Sequence, residues 1–538
     1  MPFIALILLI LCHLISGYGL LTLFGIRQKP AISFSLSLML GIAVASFIPF
    51  LLQLCFIPIT TGTVFLSLWL AALVLNVPGL LAVRKKEGLT IPSFSGRWIR
   101  RFREGWLRIR NLRVYTYEVP FMVILFFLIF VSVWRCYYLP PTSRDALSGP
   151  EAIAEFAVRE HTMINSFFKV DLWTTNNQFK SPFLISLQII YKMAGFPFGQ
   201  LWLSLIFIPF TILLYQVLKQ RLHPIPAGIL LLLFMMAPEL YAYTFMILYD
   251  YSNMVFLFLS LYFLFDYFKT AAPDKDPAST KSPASHVLYF SGFLMGIATY
   301  IRSETLVLAA FFIPALLLMQ FRKKYDYRKM ALSTGLFILP SLIGYYLPVQ
   351  LYIKHYLPVH YDVSGLLNQH LSDWQSLFSR YGDIFSKLLT GELAIHLWGY
   401  FMFVWAALFV FELIARRRFN KDARNWLYAI AVVFVGLGLL GYLLPLFNVV
   451  ETTKRGLFKI LPLMLLYMAN NELLIRLSVW ISRWENAAPA RAVSLASPAG
   501  SPKVPSSGKT QSSRKGVAPT SDKKTMTTPS SRKKKNRK

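Results

Sequence analysis

Charge is scarce in this chain, and negative charge is scarcer still. Only 15% of its 538 residues are charged, with 25 Asp and Glu against 55 Lys and Arg. A soluble domain carries about a quarter charged residues, so the shortage argues against a water-soluble globular fold. Cysteine is nearly missing. Cys12, Cys55 and Cys136 are the three, each inside or beside an apolar run. An odd, unclustered set gives neither a disulfide framework nor a thiolate metal site, and leaves small apolar packing as their role. The first residues also lack the basic segment of a cleavable signal peptide, so Met1–Gly25 reads as a membrane helix.

What is abundant is apolar and aromatic. Hydrophobic residues make up 56% of the chain, aromatics 16%, and mean hydropathy is +0.52. Runs of about 20 apolar residues, long enough to cross a hydrocarbon core, recur along its length. They predict an all-α polytopic membrane protein with about 13 transmembrane helices. The expected spans are Met1–Gly25, Ile32–Phe56, Thr63–Val83, Val119–Leu139, Gln200–Leu218, Ile225–Thr244, Tyr251–Phe268, two within Val287–Gln320, Ala331–Ile353, Leu393–Ala415, Trp426–Leu446 and Leu457–Ile475. Two long polar outer segments, Pro140–Phe198 and Lys354–Glu392, interrupt the series. The interruption Arg302-Ser303-Glu304 divides Val287–Gln320 into helices that meet at the outer side.

A formal charge of +30 raises the question of nucleic acid, and its distribution answers it. Lys219, Arg221, the Arg416–Arg418 turn and the 84–118 loop, with ten basic residues against three Glu, all fall on one predicted side. That bias marks the cytoplasmic face. The N-terminus is then outside and the C-terminus cytoplasmic, in an inner or plasma membrane. Within the loop, Trp98, Phe102, Trp106 and Ile109 recur among arginines at helical spacing, as in a helix lying in the headgroup plane. Residues 477–538 carry 14 basic residues against Glu485 and Asp522; they read as a disordered cytoplasmic tail drawn to anionic lipid headgroups, with no nucleic-acid partner. The organisation expected is three N-terminal helices over 1–83, the basic amphipathic loop 84–118, a transmembrane module over 119–476, and the tail 477–538.

Ionisable groups are costly near a membrane, so those at the outer ends of spans are the candidates for chemistry. Asp145 lies just past the fourth span in Ser143-Arg144-Asp145-Ala146, ahead of an amphipathic stretch Pro150–Phe168. Its plain alternatives are a helix cap or a pair with Arg144. Arg302, Lys454 and Arg455 are cations on the outer side, against the charge bias. Their plain alternatives are the ion pairs Arg302–Glu304 and Glu451–Lys454. Asp250, in Tyr249-Asp250-Tyr251, is either a helix cap or an acceptor or metal contact beside Asp145. Glu304 is a weaker candidate of the same kind. His355 and His360 read as interfacial residues.

An aspartate just past a membrane helix, followed by a long outer loop with an interfacial helix, resembles the GT-C class of glycosyltransferases, such as the protein mannosyltransferases and aminoarabinose transferases. Gly292-Phe293-Leu294-Met295-Gly296-Ile297-Ala298-Thr299-Tyr300-Ile301-Arg302 is similar to the Gly-rich helix ending in a basic residue found in that class. The resemblance covers residues 119–475. It implies a GT-C fold with long extracytoplasmic loops and transfer of a sugar from a polyprenyl-phosphate carrier to an extracytoplasmic acceptor. Asp145 would be the catalytic base, and Arg302, Lys454 and Arg455 would bind the donor phosphate. Many members carry a second acid beside the loop aspartate. Ala146 stands there in this chain, which leaves a divalent metal cofactor an open question. The rival readings are a lipid or polysaccharide flippase or transporter, and a polysaccharide polymerase or ligase.

Overall fold

The computed structural model describes residues 2–87, 115–170, 180–270, 283–355, 374–416, 419–443 and 449–495. Among them the structure is all-α, without strands. This follows from the solvent. Lipid offers no hydrogen-bond partner to the backbone, so each apolar run must satisfy its own peptide groups as a helix. Nine helices among the described residues are long and apolar enough to cross a membrane, or up to eleven if each of two bent pairs is one span. Three shorter apolar helices, Pro182–Met193, Pro224–Met235 and Ser285–Ile301, accompany them.

The first helices are α1 (Pro2–Leu23), α2 (Pro30–Leu54) and α3 (Thr61–Glu87). Residues 1–483 form one compact unit, so α1–α3 belong to the bundle. α1 and α2 meet backbone to backbone. A side chain at Gly17 would strike the Ser37 carbonyl, and one at Gly41 the His13 carbonyl. Small residues allow such approach where burial from water no longer drives association.

α4 (Val119–Tyr138) leads to α5 (Pro150–Glu160), whose Ile153, Ala154 and Ala157 are buried as its amphipathic pattern requires. The outer segment Pro140–Phe198, expected to be polar, holds instead a nearly fully buried helix, α6 (Pro182–Met193). α6 packs on α2 and α5, and Tyr191 is joined to His13 of α1 at 3.1 Å. Its 12 residues are too few to cross a membrane, and polar flanks concealed it. α7 (Leu201–Lys219) follows, and the span expected over Ile225–Thr244 is broken into α8 (Pro224–Met235) and a short helix, Pro238–Tyr243, because Pro238 cannot continue the ladder.

α9 (Tyr249–Thr270) is the buried central helix. α10 (Pro283–Ile301) and α11 (Thr305–Arg322) are separated at Arg302–Glu304, as expected. α12 (Tyr327–Tyr346) packs along α10 through Gly292, Gly296 and Gly344, each against the partner helix's backbone. α13 (Trp374–Asp383) lies in the second outer segment.

Two further expected spans are not straight. Leu393–Ala415 is α14 (Glu392–Trp398) and α15 (Phe401–Arg416), bent by 106° at Gly399, whose φ of +57° suits only glycine. After α16 (Lys421–Leu443), Leu457–Ile475 divides at Asn470–Asn471 into α17 (Leu461–Ala469) and α18 (Glu472–Leu495), with a 51° bend between the flanking helices. α18 also corrects the tail: residues 477–495, expected to be disordered, are helical. The arginine-rich loop helix, residues 271–282, His360 and residues 496–538 lie outside the described residues.

Charged layers close the two ends of the bundle. At one, buried Glu118 accepts from Lys219 and from the Tyr215 hydroxyl at 2.7 Å, and Lys269 pairs with Asp422 at 2.6 Å. Asp250 and Lys269 mark opposite ends of α9, separated by about 28 Å at ~1.5 Å per residue. That matches a hydrocarbon core of about 30 Å. The other layer contains Asp145.

Candidate functional site

Asp145 lies on a four-residue helix, Arg144–Leu147, started by Ser143, whose Oγ accepts from the Ala146 amide at 3.3 Å. The serine therefore makes the cap, and the aspartate is left to other partners. It accepts from the Arg455 guanidinium and has Lys180 Nζ at 3.9 Å. Arg455 is brought there from 310 residues downstream by the short helix Lys454–Leu457.

A second group forms at the break between α10 and α11. Arg302 pairs with Asp250, in the first turn of α9, and its Nε lies 3.0 Å from Glu304 Oε1. Asp250 is 2% exposed, so Arg302 provides what water would otherwise supply. Lys459, also buried, reaches the same Glu304 oxygen at 3.4 Å. Asn253 fixes the break from α9, donating to the Ala298 carbonyl at 2.7 Å and to Thr305 Oγ1 at 2.9 Å. The Arg302–Glu304 pair is present as expected, but Asp250 joins it as a pairing partner. Lys454 pairs with Glu239, at 3.0 Å.

Lys180 links the two groups. Its ammonium lies 5.9 Å from the Tyr249 ring centroid. The neighbouring Ser181 donates to the Tyr300 carbonyl at 2.5 Å and accepts from the Tyr249 hydroxyl at 2.7 Å. Burial pushes the Lys180 ammonium down to about 8. Asp145 and Asp250 oppose that shift, and Arg302 and Arg455 add to it. The same neighbours act on the rest. Burial would raise the Glu304 carboxyl, but Arg302 and Lys459 hold it below the usual range. Burial would lower Arg302, yet Asp250 and Glu304 keep it firmly charged.

The inner part of the layer thus holds four cations, Lys180, Arg302, Arg455 and Lys459, against three carboxylates, Asp145, Asp250 and Glu304. One positive charge is in excess among these seven residues. Asp145 and Asp250 each lie against a guanidinium, which suits an anion and does not fit a divalent cation between them. Among the described residues no three His, Cys, Asp or Glu are grouped to hold a metal. All the candidates from sequence stand at this one end: Asp145, Arg302 and Arg455 within the layer, Asp250 and Glu304 with them, and Lys454 on Glu239. Lys180 and Lys459 are not singled out from sequence; Glu239 lies near the candidates in the expected topology, but the sequence alone does not bring it to them. Lys459 carried a usable signal, a lone cation inside an apolar run; Lys180 did not.

An apolar crevice of about 720 Å³ opens between α2, α3, α10 and α12, and Tyr300 forms part of its wall. The Tyr300 hydroxyl is buried without a hydrogen-bond partner, two residues before Arg302. No family model, no curated protein and no solved structure matches this chain.

Proposed function

We propose that this chain is a membrane glycosyltransferase that moves a sugar from a polyprenyl-phosphate carrier to an acceptor at the Asp145 face. The observation that carries the reading is the convergence of Asp145, Lys180, Asp250, Arg302, Glu304, Arg455 and Lys459, from separate segments, into one recessed layer with a single excess positive charge. A phosphodiester brings one negative charge, and guanidinium groups suit its oxygens. The apolar crevice supports the same reading. Its α2 wall runs from Leu40 to Leu51, about 16 Å at ~1.5 Å per residue, or roughly one leaflet of a 30 Å core. A carrier chain lying there would present its phosphate near Arg302 and Lys180. On this reading the chain has a GT-C-like fold with 13 crossings: the nine long helices, the two bent pairs, α8 continued by the short helix Pro238–Tyr243, and α10. The face bearing Asp145 is extracytoplasmic.

The chemistry follows from the pairs. Arg455 exchanges Asp145 for the donor phosphate, which leaves the Asp145 carboxylate to accept the proton of the acceptor hydroxyl or amine. The acceptor atom attacks the anomeric carbon as the bond from that carbon to the phosphate oxygen breaks. The electron pair departs on the carrier phosphate, whose growing charge is met by Arg302, Lys180 and Lys459, with Lys454 at the margin.

A transfer assay with a radiolabelled polyprenyl-phosphate sugar tests this. Asp145→Asn should insert and fold normally yet lose transfer, and normal transfer by that variant would remove Asp145 as the base. The bends at Gly399 and Asn470–Asn471 favour a second reading, a lipid flippase, since broken helices are frequent in transporters. Carrier movement across sealed vesicles without any transfer would select it.

A further inference from the structure

Far from the Asp145 layer, the structure isolates a carboxylate that the transfer reading does not use. Glu412 is on α15, one helical turn before the helix ends at Arg416, and it is 2% exposed. Its Oε2 accepts from the Tyr467 hydroxyl and from Asn471 Nδ2, both at 2.7 Å. Its Oε1 has no hydrogen-bond partner. Neither donor is charged, so the group is solvated on one oxygen only and no cation among the described residues pairs with it. A cavity of about 560 Å³ adjoins it, with Asn471, Glu472 and Arg476 as its other polar walls and Phe411 and Leu473 among its apolar ones. The cavity lies at the break between α17 and α18. Arg221 donates to the Asn470 side chain at the same break and faces Asp422, so this is the end of the bundle opposite Asp145.

We infer that this cavity binds the primary ammonium of a zwitterionic phospholipid headgroup, with Glu412 receiving the ammonium and Arg476 the phosphate. An ionised carboxylate only accepts hydrogen bonds, so its vacant oxygen selects an N–H donor, and buried charge favours a cationic one. Glu472 at the rim adds a second carboxylate, 3.3 Å from Arg476. The mouth is bordered by Phe411 and Leu473, and Leu413, Ile414, Leu477 and Trp480 nearby are exposed. A soluble amine would meet an apolar border there, whereas a lipid brings chains to cover it. Arg476, with 65% of its side chain exposed, stands where a headgroup phosphate belongs.

The test uses the full chain in phosphatidylcholine nanodiscs doped with phosphatidylethanolamine or phosphatidylglycerol. Phosphatidylethanolamine should raise the thermal midpoint above both other compositions, because a quaternary ammonium has no N–H and phosphatidylglycerol has no ammonium. Glu412→Gln should lose that increment. Equal gains from phosphatidylglycerol, or a gain retained in Glu412→Gln, would overturn the inference. Native mass spectrometry of the wild type and Arg476→Ala gives a readout that survives misfolding of the first variant. Retention of phosphatidylethanolamine should fall about tenfold in Arg476→Ala, and unchanged retention would overturn the phosphate assignment. Free phosphoethanolamine competing as well as the lipid would refute a lipid as the source.

Discussion

On the proposed reading, raising the pH from 7.5 to 9.5 should weaken binding of the carrier phosphate, through Lys180. Its ammonium titrates at about 8, well below its ordinary 10.5, because it is recessed among Arg302 and Arg455. The sign follows from that depression. In the free protein Lys180 is charged below 8 and neutral above, while a bound phosphate holds it charged. Binding therefore takes up a proton above pH 8, and affinity falls as pH rises. At pH 9 about one site in eleven remains charged, so the dissociation constant rises about tenfold, equivalent to about 1.4 kcal/mol. Phosphate monoesters have a second pKa near 6, so a polyprenyl phosphate ligand is already almost fully ionised throughout this window. Quenching of intrinsic tryptophan by that ligand gives the dissociation constant at each pH. Lys180→Arg, which stays charged, should bind with a flat profile. A flat profile in the wild type, or the same decline in Lys180→Arg, would refute a cationic role for Lys180 in donor binding.

Other substitutions test the layer and the frame around it. Arg455→Ala should weaken donor binding by about 1.5–3 kcal/mol, the value of a hydrogen bond to a charged group, with acceptor affinity unchanged in a two-substrate kinetic analysis. Arg302→Ala should lower the thermal midpoint as well, since it strands buried Asp250 at a cost of about 3–5 kcal/mol; adding Asp250→Asn should recover part of the loss. Gly399→Ala should destabilise by about 1–3 kcal/mol, as its φ of +57° is one that L-residues rarely adopt, and a thermal scan would register it. Gly296→Leu should abolish a monodisperse peak in detergent chromatography, because its side chain would enter the α12 backbone at Pro340.

The frame was legible wherever the physics is local. Apolar run length marked the long helices, and three polar residues at Arg302–Glu304 marked the turn between α10 and α11, because lipid tolerates no such group at depth. Asp145 was visible as a carboxylate just past a span, and its placement at the same end as Arg302 and Arg455 followed from counting crossings. The partners were another matter. Nothing near Lys180 in sequence points to Asp145, and Asp250 reads as a cap or as an acceptor or metal contact because its partner Arg302 is 52 residues away. Helix breaks were also hidden. Gly399 and Asn470–Asn471 sit inside apolar stretches whose composition suits a straight span, and α6 was masked by the polar residues around it.

The Asp145–Arg455 contact has a consequence for how the protein is made. With 310 residues between the partners, synthesis at about 5–20 residues per second leaves the aspartate waiting roughly 15–60 s for its arginine. Lys180 arrives within seconds and can neutralise it meanwhile, so the nascent bundle carries a provisional counterion. The final segment then acts as a latch, and a ribosome that stops short of Arg455 releases a chain whose helices are nearly all inserted and whose charged layer is still unlocked.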